Sequence, residues 1–229
     1  MIRKFVYKTF VITLLMLGSA SSSIYAQEAS AFFRGLGIEI GGGYNQLLWE
    51  ATDVDGGKES YDRTAFSLMP SIRISYEFDV FSKINLHPFI GYNEFGGHSK
   101  LESVDWFLNS DVLYKDQYRF RNLEFGIYGT YSISRINMGA GFKLNYHLEI
   151  EQKNYYENHP QDINGWRTSD NSFLFKDLSL DAGIRLEYPI IQKVKIGAEG
   201  WFGITDLGKE EYPIFVRQNH FRLLIGYRF

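Results

Sequence analysis

Five histidines are the residues of this chain with the plainest capacity for chemistry. His87, His98, His147, His159 and His220 could each act as a general base. A serine beside one of them would make a nucleophile for acyl transfer or deacylation. His87 and His147 fall on the polar, inward face, His98 and His159 in long connections and His220 at the loop end of the last segment. His147 and His220 could both sit near the same rim, with Ser169 and Ser172 in a neighbouring polar stretch. Their spacing matches no nucleophile motif, so rim histidines hydrogen-bonded to loop backbone are expected, and no enzyme. The stretch Asp53-Val54-Asp55-Gly56-Gly57 superficially suggests a calcium loop. It has only two carboxylates and lacks the later bidentate Glu, and Asp and Gly are ordinary turn formers. The chain has no cysteine, which removes disulfides, thiolate metal sites and a thiol nucleophile. No metal and no cofactor is expected. A formal net charge of −3 gives no reason to expect a nucleic-acid partner.

Two further sets are defined by position. One is a series of charges that recur on the polar side of alternating segments: the acids Glu39, Glu77, Glu124, Asp181, Glu187 and Glu199, and the bases Arg73, Lys143, Arg185, Lys195, Arg222 and Arg228. Six against six is a balanced set, whereas a selective pore would show a surplus of one sign. Charges in a narrow interior must be paired to be tolerated, so a salt-bridged plug is expected. The other set is Tyr155, Tyr156, Trp166 and Arg167 in a long polar connection. Trp, Tyr and Arg are the residues enriched in binding hot spots, so these four are candidates for recognition of an outside partner.

What positions these residues is a period-two rhythm that runs from Leu36 to the last residue. In 64–78, Phe66, Leu68, Pro70, Ile72, Ile74, Tyr76 and Phe78 share one face, against Ser67, Met69, Ser71, Arg73, Ser75 and Glu77. Segments 135–150 and 178–188 and the C-terminal Phe221, Leu223, Ile225, Tyr227 and Phe229 repeat the pattern, with less regular members at 36–47, 84–95, 118–133 and 193–204. Successive side chains of a strand point to opposite faces, and the segments number eight. Connections alternate between short ones near 79–83, 132–134 and 190–192 and long polar ones near 48–63, 96–117, 149–174 and 205–219. That is the arrangement of an up-and-down barrel of transmembrane strands. The strand glycines gather on the polar face, among them Gly91, Gly126, Gly141 and Gly183, as a crowded interior requires. Aromatics form two bands: Tyr76, Phe78, Tyr131, Tyr188, Tyr227 and Phe229 at one end, Tyr44, Phe66, Tyr92, Tyr146 and Phe221 at the other. Rings settle at headgroup depth on both sides of a bilayer. Pro70 and Pro88 interrupt predicted strands, and each forfeits a ladder hydrogen bond, so a bulge or a strand boundary lying elsewhere is expected there.

Residues 1–26 read as a signal peptide: Arg3, Lys4 and Lys8 precede the apolar run Phe10 to Leu17, and small polar residues lead to Ala26. Residues 27–35 are then a short periplasmic lead-in and 36–229 the barrel domain. Signal segment, eight amphipathic strands and a final Tyr227-Arg228-Phe229 resemble the small Gram-negative outer-membrane barrels of the OmpX-like and PorT-like kind. The likeness implies an all-β, eight-stranded antiparallel transmembrane barrel in the outer membrane, with both termini periplasmic. It implies outer-membrane lipid as surroundings and the barrel-assembly machinery as a partner during biogenesis, reading the C-terminal strand. An extracellular or envelope protein partner would bind through the loops. The expected role is structural or interactive: envelope integrity, surface binding or secretion-linked assembly. The alternatives are a conduit for a small solute or hydrophobic ligand and, after it, a lipid-modifying enzyme.

Overall fold

The computed structural model describes residues 35–52, 58–99, 102–104, 112–158, 164–169, 172–212 and 214–229. The predicted signal segment, nearly all of the lead-in, the 53–57 turn, His159 and the side chains of 51–69 lie outside the described residues.

The strands are β1 (Leu36–Thr52), β2 (Lys58–Tyr76), β3 (Phe78–Phe81), β4 (Ile84–His98), β5 (Glu102–Val104), β6 (Val112–Ile133), β7 (Ile136–Glu157), β8 (Gly165–Ser169), β9 (Leu178–Ile191), β10 (Val194–Gly203) and β11 (Ile214–Arg228). Eight of them close a ring by antiparallel pairing alone: β1, β2, β4, β6, β7, β9, β10 and β11. The last strand returns to the first, from Gly37↔Arg228 to Ala51↔Ile214. β3 continues β2 across Glu77, while β5 and β8 add to the free ends of β6 and β7.

Alternation decides which face is inside. Glu39 and Arg73 are buried, whereas their neighbours Ile40 and Ile72 are exposed, and Leu223 is 72% exposed beside buried Arg222 and Leu224. Ile127, Phe142, Ile184 and Ile225 continue an outward apolar band that only lipid can solvate. Tyr131, Tyr188, Tyr227 and Phe229 border it at the short-turn end, Tyr146 and Phe221 at the other. The chain is a closed eight-stranded barrel that crosses a bilayer.

The strands outrun the predicted segments. β6 and β7 have 22 residues each, about twice what a tilted crossing uses. The long connections are therefore mostly hairpin rather than loop, and β5–β6–β7–β8 stand beyond the apolar band as a collar. Pro70 sits where expected, in a two-residue slip between Gly41↔Ser71 and Tyr44↔Phe66. Pro88 causes no bulge; it pairs in register with Ile127. On its other side the ladder lapses between Ser75↔Phe89 and Phe78↔Leu86, so the missing N–H falls where β2 gives way to β3.

Candidate functional site

All twelve expected charges project into the lumen, in layers. At the short-turn mouth Arg228 and Asn85 donate to Glu77 Oε1 at 2.9 and 3.0 Å, and Lys195 Nζ lies 3.0 Å from Glu187 and 3.1 Å from Glu39. Above them Arg185 bonds Glu39, Glu187 and Glu199, and Arg73 clasps Glu199 with both terminal nitrogens. The next layer centres on Glu124, which meets Lys143 and Arg222 at 3.2 Å each and Arg73 at 3.4 Å. Lys143 reaches on to Asp181 at 3.5 Å. Adjacent layers share partners, so the network is continuous.

Three inward aromatics fill the space between the charges. Arg73 lies over the Phe89 ring, Arg185 over Tyr128 and Lys143 over Trp201, at 4.7, 4.7 and 5.0 Å. Such stacking favours cations that have left water. Room for two of the rings comes from glycine: a Cβ on Gly126 would collide with Phe89, and one on Gly183 with Trp201.

Asp181 joins the ion network to a layer of amides and imidazoles. Asn145, Gln218 and His220 approach it at 2.9, 2.7 and 3.2 Å, and His147 Nδ1 sits 2.5 Å from Asn122 Oδ1. The expectation of rim histidines on loop backbone is corrected here, since both imidazoles are buried and serve the lumen. Ser169 instead accepts from Asn154. His87 pairs with Thr130 at 2.9 Å, and Glu77 stands 4.0 Å from its other nitrogen. The order of groups is that of nucleophile, base and orienting acid, but the base–acid hydrogen bond is not made and Thr130 is buried.

Sequence reasoning missed the other half of the lumen. Leu47, Trp49, Phe95, Tyr118, Phe120 and Val216 continue the inward register beyond the polar layer, and Phe175 and Leu207 come in from the long connections. Phe95 and Phe120 stack at 4.7 Å and 9°; Phe175 meets Phe120 and Trp49 edge-on at 5.1 and 5.7 Å. The two connections are stitched together by Lys176 N–H to Leu207 O and Lys209 N–H to Leu174 O, at 2.8 and 2.9 Å. His147 N–H holds Asp177 O at 2.8 Å, tying the cap to the wall. The sign in the sequence was apolar residues two places beyond inward asparagines: Leu47 after Asn45, Phe95 after Asn93, Phe120 before Asn122.

The four recognition candidates do not form one cluster. Tyr155↔Trp166 and Lys115↔Tyr155 are direct pairs, so these three share the collar's outer face. Tyr156 and Arg167 fall on the opposite face. Tyr155 donates to Glu157 at 3.3 Å, and that carboxylate beside it raises the phenol above its ordinary value. The C-terminal residues Phe221, Leu223, Ile225, Tyr227 and Phe229 all point outward to lipid. Among the described residues no acidic or histidine cluster could hold a metal ion.

No protein-family model and no curated protein matches the chain. Among solved structures it is similar to Ail, the attachment invasion locus protein of Yersinia pestis, in complex with the heparin analogue sucrose octasulfate, at 15% identity, covering 85% of this chain and 99% of that one with a TM-score of 0.41. It is similar to the outer-membrane protease OmpT from Escherichia coli at 12% identity, 86% and 97% coverage and a TM-score of 0.46. Neisserial surface protein A matches at 10% identity, 84% and 97% coverage and a TM-score of 0.34.

Proposed function

We propose that this chain is an outer-membrane barrel with a closed lumen, acting through structure and surface recognition rather than by conducting solutes or by catalysis. In this reading residues 1–26 direct export, both termini lie in the periplasm and the long-connection end faces outward. The lipid-facing C-terminal strand is what the assembly machinery reads. The observation that carries the proposal is that the lumen is filled twice in series. A balanced ion network spans the short-turn half, and an aromatic plug seals the other. A conduit would keep a continuous wet path with an excess of one sign. The two histidines that face the rim serines in sequence, His147 and His220, hold the lumen groups of Asn122 and Asp181 instead.

Planar-bilayer recording tests this directly. Folded protein, checked by heat-modifiable migration on a gel, should insert and stay electrically silent. Stepwise ohmic currents from the wild-type protein would overturn the closed-lumen reading.

A further inference from the structure

The outer face of the collar changes character in steps as it leaves the bilayer. On β6 and β7 the apolar band ends at the cross-strand pair Leu123↔Tyr146, with Tyr146 and Phe125 exposed. A bulge at Leu148, between Asn122↔His147 and Arg121↔Glu149, turns the following odd-numbered residues of β7 outward, where Lys143, Asn145 and His147 before it face the lumen. The first step is charged. Arg119 donates to Glu94 through Nε at 2.8 Å, Arg121 reaches Glu94 at 3.5 Å and Glu149 at 2.5 Å, and Lys153 lies 3.2 Å from Glu151. The second step is aromatic. Trp166, 49% exposed, packs against Tyr155 with ring centroids 5.4 Å apart, flanked by Lys115 in the same row and by Gln117, Lys153 and Thr168 in the next.

We infer that this face binds the sugar headgroup of a glycolipid in the surrounding leaflet, with Trp166 and Tyr155 as the stacking platform. The apolar C–H face of a pyranose packs on an exposed indole, and sugar hydroxyls both donate and accept. Lys115, Arg119, Arg121 and Lys153 are matched by Glu94, Glu149, Glu151 and Glu157 on this surface. A balanced surface of that kind has no surplus of charge for a bare phosphate, but it offers donors and acceptors together to a polyol. The source of the sugar follows from direction. The platform continues the lipid-facing wall upward and looks sideways along the membrane, where a neighbouring lipid's headgroup stands. A free polysaccharide would arrive from above.

The inference rests on the collar facing outward, and its test is separate from conductance. The folded protein in detergent micelles is titrated calorimetrically with rough lipopolysaccharide, which carries core sugars on lipid A, with lipid A alone, and with the released core oligosaccharide. Trp166→Ala should weaken binding of the core-bearing lipid about tenfold, the loss of one hot-spot ring. It should leave lipid A binding unchanged, and Trp166→Phe should recover most of the loss. Equal affinity of the wild-type protein for lipid with and without core sugars would overturn the inference. So would tight binding of the released oligosaccharide, which would make the face a receptor for free glycans. A conducting barrel would remove the closed-lumen reading and leave this result standing.

Discussion

The two halves of the lumen solve one problem with opposite chemistry. An eight-stranded barrel is just wide enough for its own side chains, and both halves are filled to exclude a path. The short-turn half is filled by charges carried on strands, except Glu77 at the β2–β3 junction, and fixed by register: Glu39↔Arg73 on β1–β2 and Glu199↔Arg222 on β10–β11 are direct cross-strand pairs. The far half is filled by rings, and two of its members, Phe175 and Leu207, come from connections folded inward. In the ionic half a missing partner leaves a charge stranded, so the layers stand or fall together. In the aromatic half each fully buried ring contributes roughly 1.5–3 kcal/mol on its own, and the loss of one is local.

That difference sets the order of effects. Glu124→Ala should be the most damaging, because it leaves Lys143, Arg222 and Arg73 facing one another in a sealed layer. Removing one partner of a buried ion pair costs about 3–5 kcal/mol, and a carboxylate shared by three cations puts this variant at the upper end even though Glu199 and Asp181 remain beside them, read by urea unfolding in lipid vesicles. A loss under about 1 kcal/mol would mean the layer is hydrated rather than sealed. Phe120→Ala should cost somewhat less, about 3 kcal/mol, in the same assay. It also separates the halves by a second property: the cavity beside Phe95 and Phe175 is apolar and should regain stability on binding benzene or xenon. The Glu124→Ala variant should not respond to either.

How far the sequence could be read divides along the same line. The twelve lumen charges were legible because period-two alternation assigns a face without knowledge of neighbours. Leu178 to Tyr188, for example, sorts Asp181, Arg185 and Glu187 inward with no ambiguity. The aromatic plug was not legible, because its members break the rule that served below. Phe95 and Phe120 are apolar residues on the polar face, and Phe175 and Leu207 lie in stretches that read as polar connection. The same blindness shortened β6 and β7, since 112–117 and 149–157 lack an apolar side once they leave the bilayer. The four recognition candidates fall on one hairpin, where the β7–β8 register pairs Tyr155 with Trp166 and the bulge at Leu148 determines that this pair faces outward. Alternation shows no such slip, because a bulge changes register without changing composition.

The smallest effect belongs to the open end of the ionic half, and it sharpens the contrast by depth rather than by chemistry. Arg228 makes the same kind of ion pair as Arg73, at 2.9 Å to Glu77, yet its side chain is 39% exposed against 0% for Arg73. Water can therefore replace the guanidinium on the Glu77 carboxylate, and Asn85 still donates to it at 3.0 Å. Arg228→Ala should cost roughly 0–1 kcal/mol, the range of solvent-exposed pairs, in the same urea titration. A cost approaching that of Glu124→Ala would mean that the mouth is as dry as the centre, and that the ionic half is one sealed unit from Glu77 to Asp181.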